Sequence, residues 1–383
     1  MSDLSAARTP ETHRLSDLPV APSLKSGAVQ ITTRSNLSAI LGLEVAVPSR
    51  WYSQGELLKS LRYEGDPQAE SMFTRSAVDG RHLSATEEEL SRTVDPRFQH
   101  DFAAEKTLFL AEQALRPLVR QLQLQGRVPA ALVVHTTSVF QTPSLATQLV
   151  ARLKLPRTLV RYDLVGAGCY GSIPTLQLAD TILQATNDGV VLAATTEVGS
   201  HFMGPAPVSD KGRMVINALF GDAAVAMAIG RGEPQPGVPE ILAFYSEQDY
   251  DSLELVSIKA KDTGSLRPFI DREVPATAAK LVIPALRRFL TQQGYDLRQI
   301  NHWIFHPGGR TVLDALQVEL DLPDDAMEPS RETLRRFGNV SSSTALLALR
   351  TVQARRKPKS GDLGLLVAVG PGLIAGFTLL RWT

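Results

Sequence analysis

The chain has 383 residues, of which 43% are hydrophobic and 21% charged, the composition of an ordinary globular protein. Forty basic residues balance forty acidic ones, so we expect no general attraction to nucleic acid or to an anionic membrane. No apolar run reaches the roughly 18 residues of a membrane span, and the amino terminus lacks a basic and then apolar secretory signal. We therefore predict a cytoplasmic protein whose partners are small molecules or other proteins.

The first half of the chain alternates strands and helices. Residues 1–36 are rich in Ser, Thr and Pro, which predicts a flexible tail. Apolar patterns then predict strands, helices and one long Gly/Pro-containing loop. In chain order these are strand 39–48, a helix capped by Ser53, helix 102–124, strand 130–135, helix 144–153, strand 159–164, a helix from Ile173, strand 189–196, loop 199–216 and strand 218–229.

The second half repeats this plan after residues 230–239, which hold three glycines and three prolines. The predicted elements are strand 241–245, helix 274–293, strand 303–305, helices 311–320 and 344–355, and strands 363–369 and 374–381. Alternating strands and helices favour an α/β fold with helices covering the sheets. We predict two similar units, 37–235 and 236–383, related by an internal pseudo-twofold.

Cys169 is the only cysteine, so the chain forms no internal disulfide and no metal–thiolate cluster. It lies in Gly166-Ala167-Gly168-Cys169-Tyr170-Gly171, between a predicted strand and a predicted helix. Unpaired N–H groups at a helix amino terminus favour a thiolate over a thiol. The same residue in isolation also fits an inert buried position.

Two further strand-to-helix junctions lie in the second half. His306 leaves a buried strand just before Pro307-Gly308-Gly309, and Asn339 follows Gly338 in a turn before a small-residue helix. A thiolate takes an acyl group as a thioester, and an imidazole and a carboxamide supply hydrogen bonds to a developing oxyanion. This set suits the decarboxylative condensation of a malonyl thioester and needs neither metal nor redox cofactor.

The motifs resemble those of the thiolase-fold condensing enzymes, and most closely the type III polyketide synthases, the chalcone synthase-like group. The resemblance runs from about residue 39 to the end. It is carried by six motifs in the family's order: Gly168-Cys169, Leu219-Phe220-Gly221-Asp222, His306-Pro307-Gly308-Gly309-Arg310, Ser330-Arg331, Phe337-Gly338-Asn339-Val340-Ser341-Ser342 and Gly370-Pro371-Gly372-Leu373. It implies a thiolase-like fold with two similar α/β halves in a five-layered αβαβα core.

The same resemblance implies roles for individual residues. Cys169, His306 and Asn339 match the catalytic triad, Phe220 the first gatekeeper, and Phe269 or its neighbour Pro268 the second. Other positions match cavity-shaping residues: Thr137, Thr142, Ser341, Gly370, Pro371 and Gly372. Acyl-CoA and malonyl-CoA are the implied substrates, Arg75 matches a coenzyme A phosphate contact, and family members are homodimers.

Several positions depart from the family pattern. Tyr170 stands where a small residue follows the cysteine, and Ala223 where a glycine follows the Phe-Gly-Asp turn. The cations expected before Arg75 are replaced by Gln68 and Ser71, which weakens the grip on a phosphorylated nucleotide. Coenzyme A is then held by Arg81 or other residues, or the donor is an acyl carrier protein.

Three alternatives stay open at this stage. The first is a thiolase-fold acyltransferase without decarboxylation, or a ketoacyl synthase III-like enzyme fed by a carrier protein. The second is a non-enzymatic subunit that shapes another enzyme's cavity. The third is a cysteine hydrolase of α/β-hydrolase type, because residues 167–171 approximate a nucleophile elbow.

Overall fold

The computed structural model describes residues 37–92, 96–186, 189–231, 236–260 and 266–383. These residues belong to one compact unit. The predicted tail, residues 1–36, lies outside the described residues, as does part of the predicted boundary at 230–239. The division into two sequence halves stays a prediction.

Thirteen strands are described. In chain order they are β1 Ser38–Ala46, β2 Trp51–Ser53, β3 Gly80–His82, β4 Pro129–Thr136, β5 Val160–Val165, β6 Val190–Val198, β7 Asp222–Gly230, β8 Pro239–Gln248, β9 Val256–Ala260, β10 Leu266–Ile270, β11 Ile300–Phe305, β12 Leu363–Gly370 and β13 Ile374–Trp382.

Eleven helices are described among the same residues. They are α1 Gln54–Ser60, α2 Pro67–Arg75, α3 Glu87–Arg92, α4 Pro96–Leu124, α5 Leu145–Arg152, α6 Ser172–Thr186, α7 Lys211–Leu219, α8 Val274–Gln292, α9 Arg310–Glu319, α10 Glu328–Phe337 and α11 Thr344–Arg356. None of these described helices has the length and apolar character of a transmembrane span.

Nine strands form one mixed sheet in the order β11-β12-β13-β8-β1-β7-β6-β4-β5. Strands β11, β12, β13 and β8 form one part of this sheet, and β1, β7, β6, β4 and β5 form the other. The two parts are joined by a short pairing of β1 with β8, in which Ser38 faces Ile241 and Ala39 faces Glu240. The near-continuous apolar sequences of β6 and β7 are buried along their whole length, as expected for strands covered on both faces.

Helices α6 and α11 lie between the two parts of the sheet. One buried cluster joins apolar residues of both helices to residues of β4, β6 and β7 on one side and of β11, β12 and β13 on the other. Helix α4 packs on the outer face of β6 and β7, and α8 on the outer face of β8 and β13. The resulting order of layers is αβαβα, as the thiolase-like prediction requires.

Several elements were not predicted from the sequence, among them the short paired strands β2 and β3. The predicted loop 199–216 contains the start of α7, an amphipathic helix capped by Asp210, whose Pro-rich approach and Gly212 hide its period. Helix α10 was missed because it is mostly polar and buries only a narrow stripe. The β9–β10 hairpin was missed because its strands pair only with each other.

Tyr170, the bulky residue after the cysteine, is accommodated by two glycines of the second half. A Cβ on Gly376 would lie 2.3 Å from Tyr170 Cε2, and one on Gly370 would lie 2.6 Å from Tyr170 Cβ. The Tyr170 hydroxyl bonds with Ser246. The tyrosine therefore fastens the cysteine turn to β8, β12 and β13.

Substituting Gly376→Ala should lower the free energy of unfolding, because the new methyl group overlaps the Tyr170 ring inside a packed layer. The expected loss is about 1–3 kcal/mol. Urea unfolding followed by circular dichroism measures it. Gly55→Ala is the matched control, since an added Cβ there meets no atom within 4 Å. An unchanged unfolding midpoint in Gly376→Ala would contradict this account of Tyr170.

Candidate active site

A small, mainly apolar cavity of about 60 Å³ lies where the cysteine turn meets the second half of the chain. Many of the predicted site residues line it: Thr137, Cys169, Phe220, Phe269, Asn339, Ser341 and Pro371. Pro268, the other candidate for the second gatekeeper, lines it as well. Residues far apart in sequence thus converge on one space.

Cys169 is held in a short 3₁₀ turn, Gly168–Tyr170, rather than at the first turn of α6, which begins at Ser172. Gly166 and Gly168 have φ of 85° and 55°, values that favour glycine. Gly168 donates its N–H to Thr137 Oγ1 at 3.0 Å. A Cβ on Gly168 would lie 2.4 Å from Pro371, so glycine is needed for this close approach.

Asn339 is fixed by the loop that follows α10. Its Oδ1 accepts the Ser341 N–H at 2.9 Å, and its Nδ2 donates to Gly308 O at 3.2 Å. The Cys169 thiol donates to the same Oδ1, with 4.0 Å between sulfur and oxygen. Nδ2 has a second N–H, which is available to a substrate.

His306 follows β11 and is buried, with its own N–H bonded to Val367 O at 2.7 Å. Burial lowers the pKa of its imidazole to about 4, so the ring is neutral near pH 7. Among the bonds of the described residues, none joins this ring to Cys169 or Asn339. The contact between the loops runs instead through Asn339 and Gly308, two residues beyond the histidine.

The thiol of Cys169 is not the low-pKa group predicted from a helix amino terminus. Burial, together with the charge of Glu197, raises its pKa to about 12, although hydrogen bonds with Ser341 and Asn339 act in the opposite direction. The resting residue is therefore a thiol, because desolvation outweighs the dipole of the turn.

Arg81 is fully buried, which overturns its candidacy as a coenzyme A contact. Its guanidinium donates to the carbonyls of Asn217 and Ala218 in the last turn of α7. The side chain also lies against Gly338, whose added Cβ would be 3.2 Å from Arg81 Cδ. Arg81 thus supports both the loop of Phe220 and the loop of Asn339.

Those two loops are joined backbone to backbone. Asn339 donates its N–H to Leu219 O at 2.7 Å, and Gly221 donates to Asn339 O at 3.1 Å. A Cβ on Gly338 would lie 2.3 Å from Leu219 O, so this pairing requires glycine. Phe220 and Asn339 therefore reach the cavity as one unit.

The remaining predicted residues lie elsewhere. Thr142 is exposed and does not line the cavity. Gly370 packs on Tyr170, and Gly372 continues the same loop with φ 74°. Arg75 is exposed at the end of α2. Ala223, the other departure from the family pattern, is a buried core residue of β7.

Glu197, Ser138 and Phe202 also line the cavity and were not predicted. Glu197 is almost completely buried, and burial raises the pKa of its carboxyl to about 7. The sequence does contain a signal that could have identified Glu197, because this charged residue directly follows the apolar run 189–196. A charge at the end of a buried strand is uncommon unless it is paired or functional.

A thiol and a carboxamide that share one cavity with aromatic walls, in a five-layered αβαβα fold, are typical of a thiolase-like condensing enzyme, an acyltransferase. Comparison with known proteins narrows this class. Residues 75–234 match the family model described as FAE1/type III polyketide synthase-like protein, and residues 255–382 match the C-terminal domain of chalcone and stilbene synthases.

Individual relatives agree with the family models. The chain is 30% identical to 1,3,6,8-tetrahydroxynaphthalene synthase of Streptomyces peucetius subsp. caesius over 375 residues, 95% of this chain and 97% of the relative. It is 27% identical to 3,5-dihydroxyphenylacetyl-CoA synthase of Amycolatopsis orientalis over 91% of this chain and 94% of the relative. The crystal structure of PKS-I from the brown alga Ectocarpus siliculosus superposes with a TM-score of 0.83, at 19% identity, covering 91% of this chain and 99% of that one.

The chain belongs to the type III polyketide synthases. It is a transferase that condenses acyl thioesters, and the decarboxylative function is supported over the non-decarboxylating alternative. The α/β-hydrolase alternative is wrong, because the fold is thiolase-like. The non-enzymatic alternative is also wrong, because the relatives are synthases.

Proposed function

We propose that this synthase loads a short acyl starter on Cys169 and extends it with malonyl-CoA, using His306 and Asn339, to form a small polyhydroxylated aromatic product. The observation that carries the proposal is the opening of the Cys169 thiol and the Asn339 carboxamide into one apolar cavity, 4.0 Å apart from sulfur to Oδ1. No metal or redox cofactor takes part in this scheme.

Loading exchanges one thioester for another. The thiol sulfur attacks the starter carbonyl, coenzyme A leaves with the thiol proton, and the acyl group stays on Cys169. A thiol with a pKa raised to about 12 needs help to lose its proton. In this scheme His306, neutral and buried on the adjoining loop, accepts that proton after a rotation of its side chain.

Extension begins when malonyl-CoA loses carbon dioxide. The bond to the carboxylate breaks, and the electron pair moves onto the thioester as an enolate. The free N–H of Asn339 and a ring N–H of His306 stabilise the enolate oxygen, and apolar walls including Phe220 and Phe269 disfavour the charged carboxylate. The enolate carbon then attacks the acyl carbon, and the Cys169 sulfur leaves.

The narrow cavity supports a short starter. Its volume of about 60 Å³ leaves little room beside the thiol for a long acyl chain. The relatives named above are named for tetrahydroxynaphthalene and dihydroxyphenylacetyl-CoA, and a third, 28% identical over 82% of this chain, is the phloroglucinol synthase of Pseudomonas fluorescens. These names support a compact polyhydroxylated aromatic as the proposed product class.

Coenzyme A rather than a carrier protein is the proposed donor. Gln68 on α2 stands where a cation is expected, but Lys211 of α7 lies beside it and supplies a positive charge there. Lys211 Nζ donates to Gln68 Oε1 at 2.9 Å, and Arg75 is one heptad after Gln68 on the same helix. Two cations on neighbouring helices suit the phosphates of coenzyme A. The adjacent Gly212 is close to Pro268 of the cavity wall.

We propose a homodimer because β5, at one edge of the nine-stranded sheet, has no further strand paired to its outer side among the described residues. Strand β5 is last in the strand order, and its Val160, Tyr162 and Val165 side chains are 51%, 40% and 49% exposed. An exposed apolar edge strand offers its backbone to a second strand, and twofold symmetry lets two copies of β5 satisfy each other. We keep the cytoplasm as the predicted location.

Substitutions of the triad should separate the two half-reactions. Cys169→Ala should still release carbon dioxide from malonyl-CoA but form no extended product. His306→Ala and Asn339→Ala should each lower decarboxylation about 10²–10³-fold. Radiolabelled malonyl-CoA with carbon dioxide trapping and product chromatography measures both steps. Asn301→Ala, at an exposed position on β11, is the control. Decarboxylation that survives in both His306→Ala and Asn339→Ala would refute the assignment.

Reversing the charges of Arg75 and Lys211 should weaken the binding of coenzyme A thioesters. Arg75→Glu combined with Lys211→Glu should raise KM for malonyl-CoA about tenfold, a change of about 1.4 kcal/mol, with little effect on kcat. The difference should shrink at high salt. Lys280→Glu, on the outer helix α8, is the charge-matched control. An unaltered KM, with turnover restored by malonyl groups on a carrier protein, would favour the carrier protein as donor.

Charges on the edge strand should dissociate the dimer. Val160→Lys with Tyr162→Lys should shift the mass measured by sedimentation equilibrium from two chains to one. Val318→Lys, at a 77% exposed valine on α9, adds the same charge away from the edge and should leave the mass unchanged. A wild-type protein that sediments as a monomer at micromolar concentration would rule out the dimer.

A further inference from the structure

A buried carboxyl, that of Glu197, lines the cavity beside the cysteine turn and has no part in the scheme above. Its Oε2 accepts Thr137 N–H at 3.0 Å and Ser138 Oγ at 2.9 Å, and its Oε1 accepts the Ser342 hydroxyl. Ser138 Oγ already accepts Val198 N–H at 2.8 Å, so its own proton points to Glu197. All these groups donate, an arrangement that accommodates a carboxylate.

His135, the residue next to the end of β4, faces this carboxyl. Its Nδ1 lies 3.6 Å from Glu197 Oε1, and neither ring nitrogen has a hydrogen-bond partner. The ring is completely buried. A Cβ on Gly171 would lie 2.3 Å from the ring, so the imidazole is enclosed between β4 and the turn that carries Cys169.

A buried polar side chain with both nitrogens unpaired is costly and calls for an explanation. A buried carboxylate without a countercharge is also costly. No lysine or arginine of the described residues bonds to Glu197, and the titratable groups that face it are His135 from β4 and Cys169 from the 3₁₀ turn. The charge of Glu197 acts directly on the thiol and opposes its ionisation.

We propose that His135 and Glu197 hold one proton between them, and that this pair sets the charge beside Cys169. His135 is then a positioning residue, which acts on the nucleophile through Glu197. The assignment of Cys169 as the nucleophile rests on the proposed function, but the pairing itself does not.

The sign of the effect follows from the two buried groups. Burial raises the pKa of Glu197 to about 7 and lowers that of His135 to about 4. Between these values the pair holds one proton and is neutral, whichever residue carries it. Above about pH 7 the proton is lost, the pair becomes negative, and the thiol of Cys169 becomes harder to ionise.

The rate of alkylation of Cys169 by iodoacetamide tests the pair, because this is the only cysteine in the chain. Intact-mass spectrometry gives the rate from pH 5 to 9 for wild type, Glu197→Gln, His135→Asn and the double variant. Above pH 8 wild type carries the negative charge of Glu197 and the Glu197→Gln variant does not. The variant should therefore react about tenfold faster there, which corresponds to about one unit in the pKa of the Cys169 thiol. Below pH 6 the two should converge.

His135→Asn keeps an N–H donor near the Nδ1 position but cannot take up a proton. Every hydrogen-bonding neighbour of Glu197 is then a donor, which favours the carboxylate and lowers its pKa. The variant should therefore react about threefold more slowly than wild type between pH 5 and 7, half a pKa unit, and converge with wild type above pH 8. In the Glu197→Gln background the same substitution should have no effect. A His135→Asn profile that superimposes on wild type, or an equal shift in both backgrounds, would overturn the proposal.

Infrared difference spectra keep the test valid if His135→Asn fails to fold. Wild type minus Glu197→Gln should contain a protonated-carboxyl band that disappears as the pH rises through about 7. Absence at pH 5 of both this band and an imidazolium signal from His135 would also overturn the proposal. Neither readout requires condensation, so failure of the pair and failure of the proposed synthase activity are distinguishable.

Discussion

The site depends on the two hydrogen bonds that join residues 219–221 to Asn339. One partner follows α7 and the other follows α10, and they come from opposite halves of the sequence. Gly338 lets the backbones approach, and the buried guanidinium of Arg81 binds the end of α7 while it packs against Gly338. Neither Phe220 nor Asn339 has an independent position, because each is placed by the other's backbone.

The surroundings of the Cys169 thiol work against its ionisation. Burial raises the pKa of the Cys169 thiol, and the nearby carboxyl of Glu197 adds to the effect. A site that suppresses the free thiolate protects the sulfur from oxidation and from unwanted acyl donors. His306 and Glu197 are buried groups whose protonation differs from that in water, and in the schemes proposed above reactivity depends on proton movement through the first and on the charge of the second.

The sequence predicted the layered α/β fold and the residues that converge on the cavity, because strand periods and glycine turns are local signals. Cys169, Asn339 and Phe220 each follow a visible strand or turn motif. Glu197 was missed, since its importance arises from three donors contributed by other segments. Arg81 was misjudged for a related reason: its charge suggested a phosphate contact, whereas tertiary packing buries it completely.

Helix α7 and the β9–β10 hairpin show the same limit. The period of α7 is interrupted by Gly212 and spans only nine residues, and the strands of the hairpin pair only with each other, so both are positioned by contacts that form in the folded chain. The direction of the thiol's pKa shift was also wrong from sequence. A helix-terminal dipole is a local property, whereas desolvation depends on everything packed around the sulfur.

The β9–β10 hairpin supplies one wall of the cavity through Val256, Ile258 and Phe269, yet its strands form a ribbon separate from the nine-stranded sheet. Ile258 and Phe269 also reach solvent on the outside of that ribbon. This wall of the cavity is thus carried by a part of the molecule that contributes little to the buried layers. Evolution can remodel this wall, and so diversify what the enzyme makes, without disturbing the scaffold that keeps the chemistry intact.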